Sequence, residues 1–146
     1  MGVIDRTRQP AYALHVVVSL LDASADGILP DLGLTYSRYL TLLTIERLGE
    51  TTQRAIAEAM GLTEPAVSRT IRGLQASGFV ATDAQAGTGN RRAVRLTPAG
   101  ETLVNSASDQ LEEAFASLLS AAGLRSADVL ALTDPLIKTL VEGNAT

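Results

Sequence analysis

Apolar positions crowd the segment from Tyr12 to Leu29, where Leu14, Val17, Val18 and Leu21 form a stripe with Val16 and Leu20 beside it. A helix apolar over that much of its circumference is expected to be covered from several sides. Pro10 can open it, having no N–H to leave unpaired, and Gly27 and Pro30 punctuate its end. Thr35 then reads as the N-cap of a helix through Leu48, closed by Gly49. Thr52 repeats the signal for Gln53 to Met60, which stops at Gly61. A fourth helix begins after Thr63 and ends before Gly78, the expected left-handed residue beyond its C-terminus.

Beyond Gly78 the period changes. Phe79 to Thr82 and Ala93 to Leu96 are strand candidates on either side of Ala86-Gly87-Thr88-Gly89-Asn90, a tip suited to a hairpin. Thr97-Pro98 starts a long helix to about Ala122. Val104, Ala107, Leu111, Ala114 and Leu118 give it the alternating three- and four-residue spacing of helices packed at a shallow angle. A last helix from about Arg125 carries Val129, Leu132, Leu136 and Leu140, with Pro135 kinking or restarting it. The predicted fold is mainly α with a small β-hairpin: a winged helix-turn-helix over residues 34–97, flanked by dimerisation helices at 10–33 and 98–146. Apolar helices at both ends of a small chain expose greasy surface unless a second copy covers it, so a homodimer is expected.

The most informative stretch runs from Gln53 to Leu74. Two helices crossing steeply need a small residue at the crossing, here Ala57, and a turn residue that tolerates positive φ, here Gly61. Val67, Ile71 and Leu74 make the inward stripe of the second helix. Its other side carries Pro65, Ala66, Ser68, Arg69 and Arg72, all small, polar or basic. Small residues near its start would let such a helix enter a major groove ~12 Å wide, with the arginines reaching guanine edges or phosphates. An ordinary helical hairpin with a solvated face is the plainer alternative, and the joint spacing of Ala57, Gly61 and Val67 favours DNA. Arg91 and Arg92, beside the Gly-rich tip, could place cations over a minor groove.

Charge sharpens this picture. The chain of 146 residues has a net charge of −4, which taken whole argues against a polyanionic partner. Between Gln53 and Leu96, however, six arginines face three acidic residues, net +3, leaving −7 for the remainder. A local basic face on an acidic body suits a nucleic-acid module joined to a separate interface. There is no cysteine, which excludes disulfides and thiolate metal sites. The N-terminus has no export-signal pattern. The strongly apolar run Ala13 to Leu21 is short for a bilayer and contains His15. A cytoplasmic protein without a membrane partner is expected.

With those residues in place, the chain resembles the MarR family of bacterial regulators. The resemblance rests on Leu34-Thr35, Ala57-Glu58-Ala59-Met60-Gly61-Leu62, Pro65-Ala66-Val67-Ser68-Arg69, Leu74-Gln75-Ala76-Ser77-Gly78-Phe79-Val80 and Arg91-Arg92-Ala93-Val94-Arg95-Leu96-Thr97-Pro98-Ala99-Gly100. It covers nearly the whole chain. It implies a transcriptional regulator, commonly a repressor, in which a homodimer with interleaved terminal helices binds a pseudo-palindrome in double-stranded DNA. It also implies release by a small aromatic effector, and no cofactor. Carried over by position, the DNA-facing residues are Pro65, Ala66, Ser68, Arg69 and Arg72. Gln53, Thr63 and the wing residues Asn90, Arg91 and Arg92 complete the candidate interface. The family's wing has Asp-x-Arg, which falls here on Thr88 and Asn90 or, with a two-residue deletion, on Asn90 and Arg92. The second placement is favoured because an Asn side chain can accept from a guanidinium.

Other signals are weaker. His15, the single histidine, fits a packed or interfacial side chain better than a sensor of pH. Gly73 inside the recognition helix costs about 1 kcal/mol relative to alanine. It either permits close approach to phosphate or is simply tolerated. Tyr12, Tyr36 and Tyr39 could line an effector pocket or could be packing. Glu112 and Glu113 diverge on their helix, and Gly87-x-Gly89 has neither a third glycine nor a following helix, so neither an acid/base pair nor a nucleotide loop is expected. No constellation for catalysis emerges and the chain is not read as an enzyme. A winged-helix module that binds another protein, without an operator, is the alternative function.

Overall fold

The computed structural model describes residues 9–84 and 92–145. These fall into two compact units, divided between Ser108 and Asp109.

In the first unit, α1 (Pro10–Ile28) opens on its proline and passes into a short 3-10 turn, Leu29–Leu32, ended by Gly33 at φ 70°. Thr35 caps α2 (Tyr36–Leu48), its Oγ1 accepting from the Arg38 N–H at 3.2 Å. Thr52 caps α3 (Gln53–Met60) in the same way, accepting from Ala55 N–H at 3.1 Å. Each cap satisfies an N–H that the first helical turn leaves orphaned. Then follow α4 (Glu64–Ala76), β2 (Val80–Ala84), β3 (Arg92–Leu96) and α5 (Pro98–Ala121), inside which the division falls.

A third strand was not foreseen. Thr51 and Thr52 form β1, paired antiparallel with Val94 and Ala93, so the sheet order is β1-β3-β2. Two residues are too few to show alternation, and only the tertiary approach of β3 makes them a strand. On the other edge β2 pairs antiparallel with β3, Val80 opposite Leu96 and Thr82 opposite Val94.

The core beneath this sheet is drawn mainly from α2, α3, α4, β3 and the start of α5. Leu42 and Ile45 of α2, Ile56 of α3, Val67, Ile71 and Leu74 of α4, Val94 of β3 and Val104 of α5 are all at most 1% exposed. Burial of each such side chain contributes about 1.5–3 kcal/mol. Among the described residues no buried side-chain nitrogen or oxygen lacks a hydrogen-bond partner.

The links on either side of the hairpin are tied together. Gly78, at φ 83°, ends α4; its N–H donates to Gln75 O, and Phe79 N–H donates to Leu74 O, both at 3.0 Å. That pair of bonds satisfies the last carbonyls of the helix. Thr97 then reaches back across the sheet. Its N–H donates to Phe79 O at 3.0 Å and its hydroxyl to Gly78 O at 2.6 Å, while the same Oγ1 accepts from Gly100 N–H at 3.1 Å.

Within one chain α1 is largely uncovered. Only Ala25 of this helix is buried, whereas Tyr12, Leu14, Val17, Val18 and Leu20 are 40–63% exposed and His15 is exposed as well. Among the described residues of a single chain nothing covers the stripe. The apolar segment is also longer than the run Ala13 to Leu21 suggested. With the 3-10 turn it extends over Pro10–Leu32, 23 residues whose most apolar 18-residue stretch has a mean hydropathy of 1.3, enough by length and composition alone to cross a bilayer. Small residues such as Ala23, Ala25 and Gly27 carry it past the run of large side chains.

The second unit holds the end of α5 and α6 (Ser126–Asn144). Gly123, at φ 74°, turns the chain, with Leu124 N–H donating to Leu119 O at 2.8 Å. Asp128 accepts from the Arg125 N–H at 2.8 Å and so caps α6 from within its first turn. Pro135 neither ends nor restarts this helix, which continues through it. No residue of α6 is buried; Leu130, Leu132, Leu136, Ile137, Leu140 and Val141 are 44–66% exposed. Along α5, the seam begins fully buried at Val104 and Ala107 and is 52% exposed by Leu118.

Candidate nucleic-acid interface

Helices α3 and α4 meet through Gly61-Leu62-Thr63. Gly61 adopts φ 65°, and Leu62 N–H donates to Ala57 O at 3.0 Å, folding the chain back over a residue that is 3% exposed. A larger residue at Ala57 would hold the helices apart. Thr63 caps α4, its Oγ1 accepting from Ala66 N–H at 3.3 Å, and Pro65 lies in the first turn where no N–H is missed. The Thr63 hydroxyl is therefore engaged in building α4 itself.

Val67, Ile71 and Leu74 point into the core, so the opposite side of α4 is set by the helical period. Pro65, Arg69 and Arg72 are exposed, and Ala66 and Ser68 are half-buried on the shoulders. Beside α4 lies a concavity of about 780 Å³ whose lining includes Gln53 from the start of α3, Ser68 and Arg72 from α4 and Arg92 from β3. Four of the ten sequence-selected residues thus share one surface drawn from three elements. Pro65, Ala66 and Arg69 lie outside its lining, on other parts of α4. Asn90 and Arg91 lie outside the described residues.

The electrostatics of this concavity are mixed. Glu58 and Glu64 also line it. Glu58 is engaged by Arg54, Nε to Oε1 3.2 Å, an exposed pair one helical turn apart. Glu64 sits in the first turn of α4, where a carboxylate complements the helix dipole. Arg69, Arg72 and Arg92 have no ion-pair partner among the described residues, so their charge is free for an external anion. No group of three His, Asp or Glu side chains among the described residues converges to hold a metal ion.

An aspartate absent from the expected place in the wing is present across the hairpin. Asp83 of β2 pairs with Arg95 of β3, Oδ2 to Nη1 2.6 Å. Asp83 stands opposite Ala93 and Arg95 opposite Ala81, so the two are diagonal neighbours on one face. Reading Asp-x-Arg along one strand could not find this pair. The strand candidate ended at Thr82, one residue short of Asp83, and only the register between β2 and β3 makes the contact.

The residues from Thr51 to Leu96 thus define a winged helix-turn-helix. A family model described as the MarR family matches residues 32–93. No curated protein matches the sequence. Among solved structures, a MarR-family transcriptional regulator from Rhodococcus sp. RHA1 is similar with TM-score 0.82 and 19% identity, covering 92% of this chain and 94% of that one. MepR of S. aureus in complex with DNA is similar with TM-score 0.75 and 23% identity, covering 94% and 99%. NadR in complex with 4-hydroxyphenylacetate gives TM-score 0.77 and 17% identity, covering 95% and 97%. These likenesses establish the fold, which is that of MarR-family transcriptional regulators.

Proposed function

We propose that this protein is a transcriptional repressor that binds double-stranded DNA as a homodimer on a pseudo-palindromic operator and is released by a small aromatic ligand. One observation carries the reading. A helix set on a buried stripe presents Arg69 and Arg72 without acidic partners among the described residues, beside a concavity that Arg72 shares with Arg92 from the sheet. Pro65, Ala66 and Ser68 keep the start of that helix slim enough for a major groove. In this assignment residues 34–97 bind DNA, through Gln53, Thr63, Pro65, Ala66, Ser68, Arg69 and Arg72 on the helices and Asn90, Arg91 and Arg92 on the wing. Residues 10–33 and 98–146 join the two copies. Recognition helices of the two copies would lie about one turn of duplex, ~34 Å, apart.

The uncovered apolar faces of α1 and α6 support a second copy of the chain. The MepR–DNA and NadR–4-hydroxyphenylacetate structures support the two kinds of ligand. The test is selection of duplexes from a random pool by the full-length protein, with and without aromatic acids, followed by titration of the selected site. Arg69→Ala is expected to weaken that site by roughly 5- to 150-fold, the 1–3 kcal/mol of a good base contact, with an unchanged circular dichroism spectrum. A wild-type protein that binds neither selected nor random duplex at low salt would leave the protein-interaction reading in its place.

A further inference from the structure

Gly73 is the one helix-interior position of α4 without a side chain, and the space beside it is occupied. A Cβ built on Gly73 would lie 3.0 Å from Nη2 and 3.6 Å from Cζ of Arg38, whose side chain comes from the first turn of α2. The glycine leaves room for a guanidinium to lie against α4. Arg38 has no ion-pair partner among the described residues, and its side chain takes part in no hydrogen bond with them. A guanidinium lying against α4 with its charge unspent is open to an anion from outside.

The position of that cation follows from helix geometry. Gly73 is four residues beyond Arg69, one turn further along the same side of α4. Arg69 is fully displayed, and Gly73 and Arg38 are half-buried on the shoulder next to it. On the opposite shoulder, Arg72 faces the concavity shared with Arg92. We infer that Arg38 is a DNA-contacting residue: α2 lends the recognition helix, at Gly73, a third arginine that neutralises a backbone phosphate alongside Arg69. The fixed planar fork of a guanidinium suits a phosphate, and its seat on Gly73 reduces the freedom lost on binding. The contact would position the helix without reading sequence, since phosphates carry no base identity.

This inference rests on the proposed DNA binding, and the test separates the two. Binding of the selected site and of random duplex is measured against salt for the full-length wild type, Arg38→Gln and Arg38→Lys. Glutamine keeps much of the stem and removes the charge; thermal melts confirm that each variant is folded. Loss of one phosphate contact flattens the slope of log K against log[salt] by about 0.9, and by the same relation weakens binding about 8-fold at 0.1 M salt. Arg38→Gln is expected to show that change equally on both duplexes, and Arg38→Lys to restore the slope. In Gly73→Ala the added methyl would meet Nη2 at 3.0 Å, so the guanidinium need give by only a few tenths of an ångström and the slope should stay close to that of wild type. If wild type binds duplex and Arg38→Gln keeps the full slope, Arg38 is a packing residue and the inference is wrong. If wild type binds no duplex, the proposed function fails and this inference fails with it.

Discussion

A methyl group at Gly100 would run into the carbonyl oxygen of Phe79, far inside van der Waals contact. That carbonyl also accepts from Thr97 N–H, and Thr97 binds Gly78 O and Gly100 N–H through its hydroxyl. The start of α5 is thereby pinned to the end of α4 across the root of the wing. This explains in physical terms why the Gly78-Phe79 and Thr97-Pro98-Ala99-Gly100 segments belong together: they are two halves of one joint. The obstacle is backbone rather than a flexible side chain, so Gly100→Ala forces the joint apart. It should cost about 1–3 kcal/mol, read as a lower urea midpoint at unchanged m-value. Thr97→Val, which keeps the shape and removes the hydroxyl, should cost about 1 kcal/mol.

The Asp83–Arg95 pair orders the outer part of the hairpin more than it stabilises the fold. Both side chains are about half exposed, 62% and 48%. Solvent and salt screen such a pair, so a double-mutant cycle with Asp83→Asn and Arg95→Gln should give a coupling of about 0.2–1 kcal/mol at low salt. In 1 M NaCl the coupling should largely vanish. A coupling above 2 kcal/mol that resists salt would show the wing closing over this pair.

Tyr36 supplies a pH dependence. Its phenol lies above the ordinary value of 10.0, raised by burial first, then by the charge of Asp22 and by Tyr39, whose ring centroid is 6.1 Å away. An acid whose folded pKa exceeds its unfolded one is favoured neutral in the folded state. Its contribution is complete below pH 10 and is lost as pH rises through the alkaline range, where the unfolded chain releases the proton first. Urea midpoints of wild type should therefore fall more steeply above pH 10 than those of Tyr36→Phe. Parallel curves for the two proteins would assign the alkaline loss to other groups.

Assembly can be tested on α6. Ile137 and Val141 are four residues apart, 58% and 65% exposed, and placed for a partner rather than for the core of their own chain. Sedimentation should find the wild type dimeric. Ile137→Glu with Val141→Glu should raise the dimer dissociation constant at least about 30-fold, as expected when anchor side chains worth 2 kcal/mol are lost. A wild-type monomer at micromolar concentration would remove the dimer from the proposed function.

Helix boundaries were legible in the sequence because their signals are local. Thr35, Thr52 and Thr63 cap the turn that follows each of them, and Gly49, Gly61 and Gly78 take the positive φ that ends a helix. The buried stripe Val67, Ile71 and Leu74 fixes which side of α4 is displayed, so the arginines of its outer side could be picked by number alone. Nothing local pairs Thr51 with Val94, Asp83 with Arg95 or Gly73 with Arg38. Those relationships depend on strand register and on which helices cross, quantities that no single segment encodes. The sequence by itself determined the helix-turn-helix and its basic face, through caps, turns and period. Only the tertiary structure decided how the wing aspartate is used, what fills the gap at Gly73 and that α1 and α6 stand uncovered, because each depends on what surrounding elements bring near.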